Sequence, residues 1–191
     1  MTTYSLASLV DDVTGAARAS GDDDTRCAAI TPYMRRWLDE GEPLAERYRL
    51  PCDGGACGHL LHTDADGAFF IISVVFPAGT SSGVHYHGAW GVIGIVAGID
   101  EETTYARDAS PADVAAGQPC ELRPSGKVTS PPGTISYLRP PLGGFHRVRA
   151  AGDVTGVSLH ILGGTPETHQ HLRCDGDSRM LVDFPMPALL R

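Results

Sequence analysis

Gly79-Thr-Ser-Ser-Gly-Val-His85-Tyr-His87-Gly-Ala-Trp90-Gly91-Val-Ile-Gly-Ile-Val-Ala-Gly98 sets two histidines one residue apart in a segment that reads as a β-strand. Side chains alternate along a strand, so both imidazoles project from the same face. Neutral imidazole is a common ligand of zinc, copper, iron and nickel. A bare His-x-His is also compatible with a solvated strand surface. The context separates the two readings. A Gly-rich turn precedes the pair, and the apolar run Val92 to Ala97 follows it and ends at Gly98. The segment therefore predicts a metal site at a strand end inside a β-barrel.

Outward from this segment the chain divides by texture. Residues 4 to 19 carry Leu6, Leu9, Val10, Val13, Ala16 and Ala17 at helical spacing. Gly21-Asp-Asp-Asp24 breaks that helix and supplies acids to the start of a second, Asp24 to Glu40. Pro43 to Arg49 reads as a third, short helix. From Gly54 onward short apolar runs alternate with Gly, Pro, Asp and Ser clusters, the pattern of a sandwich or barrel. Asp64-Ala-Asp-Gly67 is a hairpin turn. The expectation is one domain spanning 1–191: a helical cap over 1–50, an all-β barrel over 54–164, and an extended tail over 165–191 that wraps the barrel.

A chain of 191 residues is long enough to bury a full core. Its net charge of -8 argues against nucleic acid and anionic membranes as partners. No segment reads as a signal peptide or membrane span. The five cysteines are Cys27, Cys52, Cys57, Cys120 and Cys174; an odd number without a secretory signal implies reduced thiols and a cytoplasmic location. Cys52 and Cys57 have no second Cys/His pair at zinc-finger spacing and are read as ordinary loop thiols.

The pattern of glycine, histidine and proline resembles the cupin superfamily, the double-stranded β-helix or jelly-roll barrel. Gly79, His85, His87, Gly91 and Gly98 match its first motif, with Gly91 where the usual fourth ligand, Glu, would stand. Gly126, Pro131 and Gly133 loosely match its second motif, followed after a longer loop by Phe145-His146-Arg-Val148. The resemblance implies a metal site of His85, His87 and His146. Three histidines without the Glu resemble the thiol dioxygenases of the cysteine dioxygenase type. The run from His87 to Gly98, then Glu101 and Tyr105, looks most like the bacterial 3-mercaptopropionate branch, as does Val157-Ser-Leu-His160.

That resemblance implies Fe(II) as cofactor, with a small-molecule thiol and O2 as substrates, in a monomer or small homo-oligomer. Ser158 and His160 match the first two members of the family's Ser-His-Tyr relay; Leu162 stands at the Tyr position. The mammalian Cys-Tyr crosslink is ruled out by Gly91 and Leu162. Tyr86, Trp90 and Leu162 are expected to shape the pocket, and Arg173, rather than Arg139, to hold a substrate carboxylate. His59 and His62 are read as exposed edge residues facing opposite ways, and His169-Gln-His171 as a loop near the pocket. Two other classes stay open: a cupin metalloenzyme of different chemistry (carbon-carbon dioxygenase, isomerase or lyase), and a non-catalytic cupin that binds a small molecule.

Overall fold

The computed structural model describes residues 3–19, 21–52, 55–107, 114–140 and 144–184. Two helices lead, α1 (Leu6–Ala19) and α2 (Asp23–Glu40). Asp22 caps α2 by accepting a hydrogen bond from the Thr25 amide at 2.7 Å, and Asp23 and Asp24 face the helix's positive end. The third helix expected over 43–49 is only a 3-10 turn, Glu46–Tyr48.

Among the described residues eleven strands follow: β1 (Cys57–Thr63), β2 (Phe69–Phe76), β3 (His85–His87), β4 (Gly91–Ala97), β5 (Asp100–Arg107), β6 (Leu122–Ser130), β7 (Ile135–Leu138), β8 (Phe145–Ala150), β9 (Gly156–Gly163), β10 (His171–Cys174) and β11 (Leu181–Asp183). They form two antiparallel sheets, ordered β1-β2-β9-β4-β7 and β11-β10-β3-β8-β5-β6. From β2 to β9 consecutive strands alternate between sheets except at the β5–β6 hairpin, which stays in the second sheet, giving 2-9-4-7 facing 3-8-5-6. That interleaving is the jelly roll. The tail expected to wrap the barrel as extended chain instead contributes β10 and β11 to the second sheet; its last residues, 185–191, lie outside the described residues.

The first sheet is buried on both faces, which is why Phe69 to Phe76 reads as an apolar run interrupted only by Ser73. Its outer face (Phe69, Ile71, Val75, Val92, Leu159, Ile161) packs against Leu9, Val13, Ile30, Met34 and Trp37 of the helices. Its inner face presents Phe70, Ile72, Ile93, Ile95 and Leu162 to the barrel interior.

Two expectations fail for local reasons. His59 and His62 do not face opposite ways, because a β-bulge falls between Leu60 and His62. They pair with Ser73 and Ile71, two apart on β2, and so share a face; His59 is buried with Nε2 2.9 Å from the Leu50 carbonyl oxygen. The expectation of reduced thiols also fails. Cys52 is paired with Cys57 and Cys120 with Cys174 as disulfides, leaving Cys27 free and buried. No described helix is long and apolar enough to cross a membrane.

Gly98 turns the chain between β4 and β5 at φ +73°, and a Cβ there would lie 2.7 Å from both Gly156 Cα and the Thr155 carbonyl oxygen. Both neighbours are backbone and cannot rotate away. Gly98→Ala should therefore destabilise the protein by about 1–3 kcal/mol, read as a lowered urea midpoint; an unchanged midpoint would contradict this packing.

Candidate metal centre

Strand β3 is three residues long and buried throughout. Its alternation turns His85 and His87 into the barrel and Tyr86 outward. β3 pairs with β8 so that His85 stands directly opposite His146, with ring centroids 4.4 Å apart. The three histidines are buried, and each offers a ligand nitrogen within 4.8 Å of the others. They could hold a metal ion.

The outward nitrogens show how the rings are set. His85 Nδ1 lies 3.2 Å from the Gly83 carbonyl oxygen and so donates to it. His146 Nδ1 donates to Glu102 Oε1 at 2.8 Å. His87 Nδ1 lies 2.9 Å from His169 Nε2, and His169 Nδ1 lies 3.0 Å from the Gly163 carbonyl oxygen. A carbonyl can only accept, so His169 carries its proton on Nδ1 and receives one from His87 Nδ1. Each ligand histidine thus holds its proton on Nδ1, leaving an Nε2 lone pair. His146 Nε2 is buried with no hydrogen-bond partner among the described residues. A buried lone pair left without a donor is costly unless a cation takes it.

Electrostatics agree with this arrangement. Burial, and then repulsion from neighbouring imidazoles, push His85 and His87 well below the ordinary 6.5. Burial lowers His160 to about 3 and His171 to about 4, and lowers His169 as well. Those five rings are neutral near pH 7, the state in which imidazole binds metals.

A cavity of about 260 Å³ opens onto the three histidines. Ser158, His160 and Leu162 face it from alternate positions of β9. Ser158 Oγ lies 2.8 Å from His160 Nε2, so the expected dyad is assembled. The space beside Leu162 is filled by Phe70, Ile72, Ile93 and Leu138, so no phenol extends the relay there. The phenol of Tyr137 points away, 3.1 Å from Thr31 Oγ1 of α2.

Three expected pocket residues are placed elsewhere. Tyr86 packs on the opposite face of β3 with Phe145 and Leu172. Trp90 belongs to the core beneath the helices, with the Arg26 guanidinium 5.6 Å from its ring. Arg173 is exposed and lies 5.3 Å over Phe184; none of the three lines the cavity. Arg139 pairs with Asp24 at the surface, 3.1 Å away.

Two acids that line it, Asp100 and Glu102 of β5, were not assigned from sequence, and His171, expected in a loop near the pocket, lines it from strand β10. Burial and the Glu102 charge raise Asp100 to about 6. A second group, Cys52, Cys57 and His59, also lies within metal-binding distance. As a disulfide its sulfurs carry no thiolate, and His59 Nε2 is already engaged.

No family model matches the chain. Among solved structures it is similar to an uncharacterized conserved protein with a double-stranded β-helix domain from Klebsiella pneumoniae, at TM-score 0.49 and 11% identity, covering 70% of this chain and 91% of that one. It is also similar to an RmlC-like cupin protein from Desulfovibrio desulfuricans, at TM-score 0.44 and 22% identity over 64% and 94%. An oxalate decarboxylase from Bacillus subtilis matches at TM-score 0.46 and 18% identity, over 71% of this chain and 30% of that one.

Unfolding returns the five depressed histidines to the ordinary 6.5, so the unfolded chain takes up more protons below that pH. Stability of the metal-free protein should be full above about 6.5 and fall as the pH drops toward about 4 and 3, the folded values of His171 and His160. Asp100 opposes this between about 6 and 3.8, one group against five. Urea midpoints across this range check it, and a flat or rising profile on acidification would contradict it. Separately, Glu102→Gln should weaken divalent-metal binding about 10–100-fold, measured by chelator competition, because the Glu102 carboxylate orients His146.

Proposed function

We propose that the protein is a non-haem Fe(II)-dependent dioxygenase that oxidises a small thiol to its sulfinic acid, with both atoms of O2 entering the product. The observation that carries this reading is a ligand set of three neutral imidazoles with no carboxylate among them. At the position where the cupin Glu would stand, a Cβ on Gly91 would lie 2.7 Å from Leu162 Cδ2 and 2.9 Å from Leu138 Cδ1. The site is packed against a fourth protein ligand there.

When bound, Fe(II) would acidify the thiol and bring it together with dioxygen, which accounts for the reaction RSH + O2 → RSO2H. The remaining work falls to the chain. Three uncharged ligands leave the ion's 2+ charge uncompensated, which favours an anionic thiolate over a neutral ligand. The apolar wall of Ile72, Ile93 and Leu162 restricts water around the sulfur. His160, neutral down to about pH 3, is too weak a base to take the thiol proton. Its role is to hold, with Ser158, a fixed hydrogen bond at the cavity wall. With no phenol beyond it, the dyad orients rather than relays.

Anaerobic loading with Fe(II), a panel of small thiols, and paired measurements of oxygen uptake and sulfinate test this. We expect one O2 consumed per sulfinate formed. His160→Phe should retain iron but lower kcat by about 10–100-fold. Fully iron-loaded protein that forms no sulfinate from any thiol would overturn the proposal.

A further inference from the structure

His171 stands directly opposite His87 across the β10–β3 pairing, stacked on it with centroids 4.6 Å apart and edge-on to His85 at 5.1 Å. It is nine-tenths buried and lines the cavity. Neither ring nitrogen makes a hydrogen bond of full geometry among the described residues, although a backbone group of Phe184 lies close enough to raise its basicity slightly. Yet His171 lies outside the group of three whose nitrogens cluster within 4.8 Å. It is too far to complete that group and too close to ignore what binds there. A neutral imidazole ring offers one N–H and one lone pair.

The rest of the wall sharpens the point. Among the described residues no Lys or Arg lines the cavity, whereas Asp100 and Glu102 do. Asp100 Oδ1 is itself buried without a partner. With a metal ion held by the three histidines, a thiolate and the nearby Glu102 already offset its 2+ charge, so a second carboxylate on the ligand would face Asp100 and Glu102 with no Lys or Arg among the lining residues to pair with it. A group that donates hydrogen bonds has acceptors on the cavity wall.

We propose that His171 is a substrate-positioning residue and that the cavity selects a small thiol whose far end donates hydrogen bonds, a hydroxyl or an ammonium, rather than one ending in a carboxylate. This rests on the thiol reading above and specifies its substrate class.

The test uses the full chain loaded with Co(II) under anaerobic conditions, where the thiolate-to-Co(II) charge-transfer band reports thiol binding directly. Four probes of similar size are compared: ethanethiol, 2-mercaptoethanol, 2-aminoethanethiol and 3-mercaptopropionate, each corrected for its own thiol pKa. We expect at least one donor-ended thiol to bind about fivefold to tenfold tighter than ethanethiol, and 3-mercaptopropionate to bind more weakly than ethanethiol. Which donor-ended thiol binds tighter separates hydroxyl from ammonium. His171→Leu should erase the donor-end advantage while leaving ethanethiol and Co(II) affinity unchanged, and His171→Gln should retain part of it. Should His171→Leu fail to fold, the wild-type series and His171→Gln decide the question. Tightest binding of 3-mercaptopropionate would overturn the proposal, as would loss of Co(II) affinity in His171→Leu, which would make His171 a ligand. A Co(II)-loaded wild type that gives no thiolate band with any probe would overturn the thiol reading itself, and this inference with it.

Discussion

The register of β3 is the constraint on which the centre depends. Three residues meet β8 on one side and β10 on the other, setting His85 opposite His146 and His87 opposite His171. A slip of one residue would turn both histidines outward and Tyr86 inward. Tyr86 prevents the slip. Its ring is buried against Phe145 and Leu172 on the outer face, and it lies so close to Gly144 that a Cβ there would collide with it. The residue expected from sequence to shape the pocket instead holds the strand that builds it.

Burying five imidazoles in one region is unfavourable unless all stay neutral, and neutral rings still carry two nitrogens each to satisfy. The fold meets this by engaging the outward nitrogen of each ligand histidine with Gly83, Glu102 or His169. Those bonds leave the inward lone pairs facing one another, and His146 Nε2 has no donor among the described residues. A cation is the partner that resolves all three at once, and its binding free energy would count toward folding. The depressed basicity of the cluster and its fitness to hold a metal are therefore one property, since a protonated imidazole can do neither.

Much of this was legible in the chain. Period-two alternation alone put His85 with His87, and Ser158 with His160, on common faces. The strand texture from residue 54 onward carried the barrel. What stayed hidden depends on pairings between distant segments. Glu102 reaches His146 as a diagonal neighbour across β5 and β8, where Thr104 is the residue directly opposite. His171 acquires its place only because β10 joins the sheet, and Pro- and Gly-rich surroundings read more naturally as loop. A single extra residue in β1 reversed the expected facing of His62. The Cys120–Cys174 pair spans 54 residues, a closeness no spacing rule supplies.

The glycine at position 91 connects these observations. Leu138 and Leu162 occupy the space into which a carboxylate ligand would extend, so the centre's negative charge is not lost but moved outward. Glu102 carries it, one imidazole removed from the site of any bound ion, where it strengthens His146 as a donor without neutralising the metal's charge directly. Coordination positions the protein leaves empty then face the cavity rather than a carboxylate, and whatever fills them must bring its own negative charge. A thiolate does so at the sulfur. On the proposed reading, its far end would meet His171 and two acids, and that separation of charge, anionic at the metal and non-anionic beyond it, would be the selectivity of the cavity.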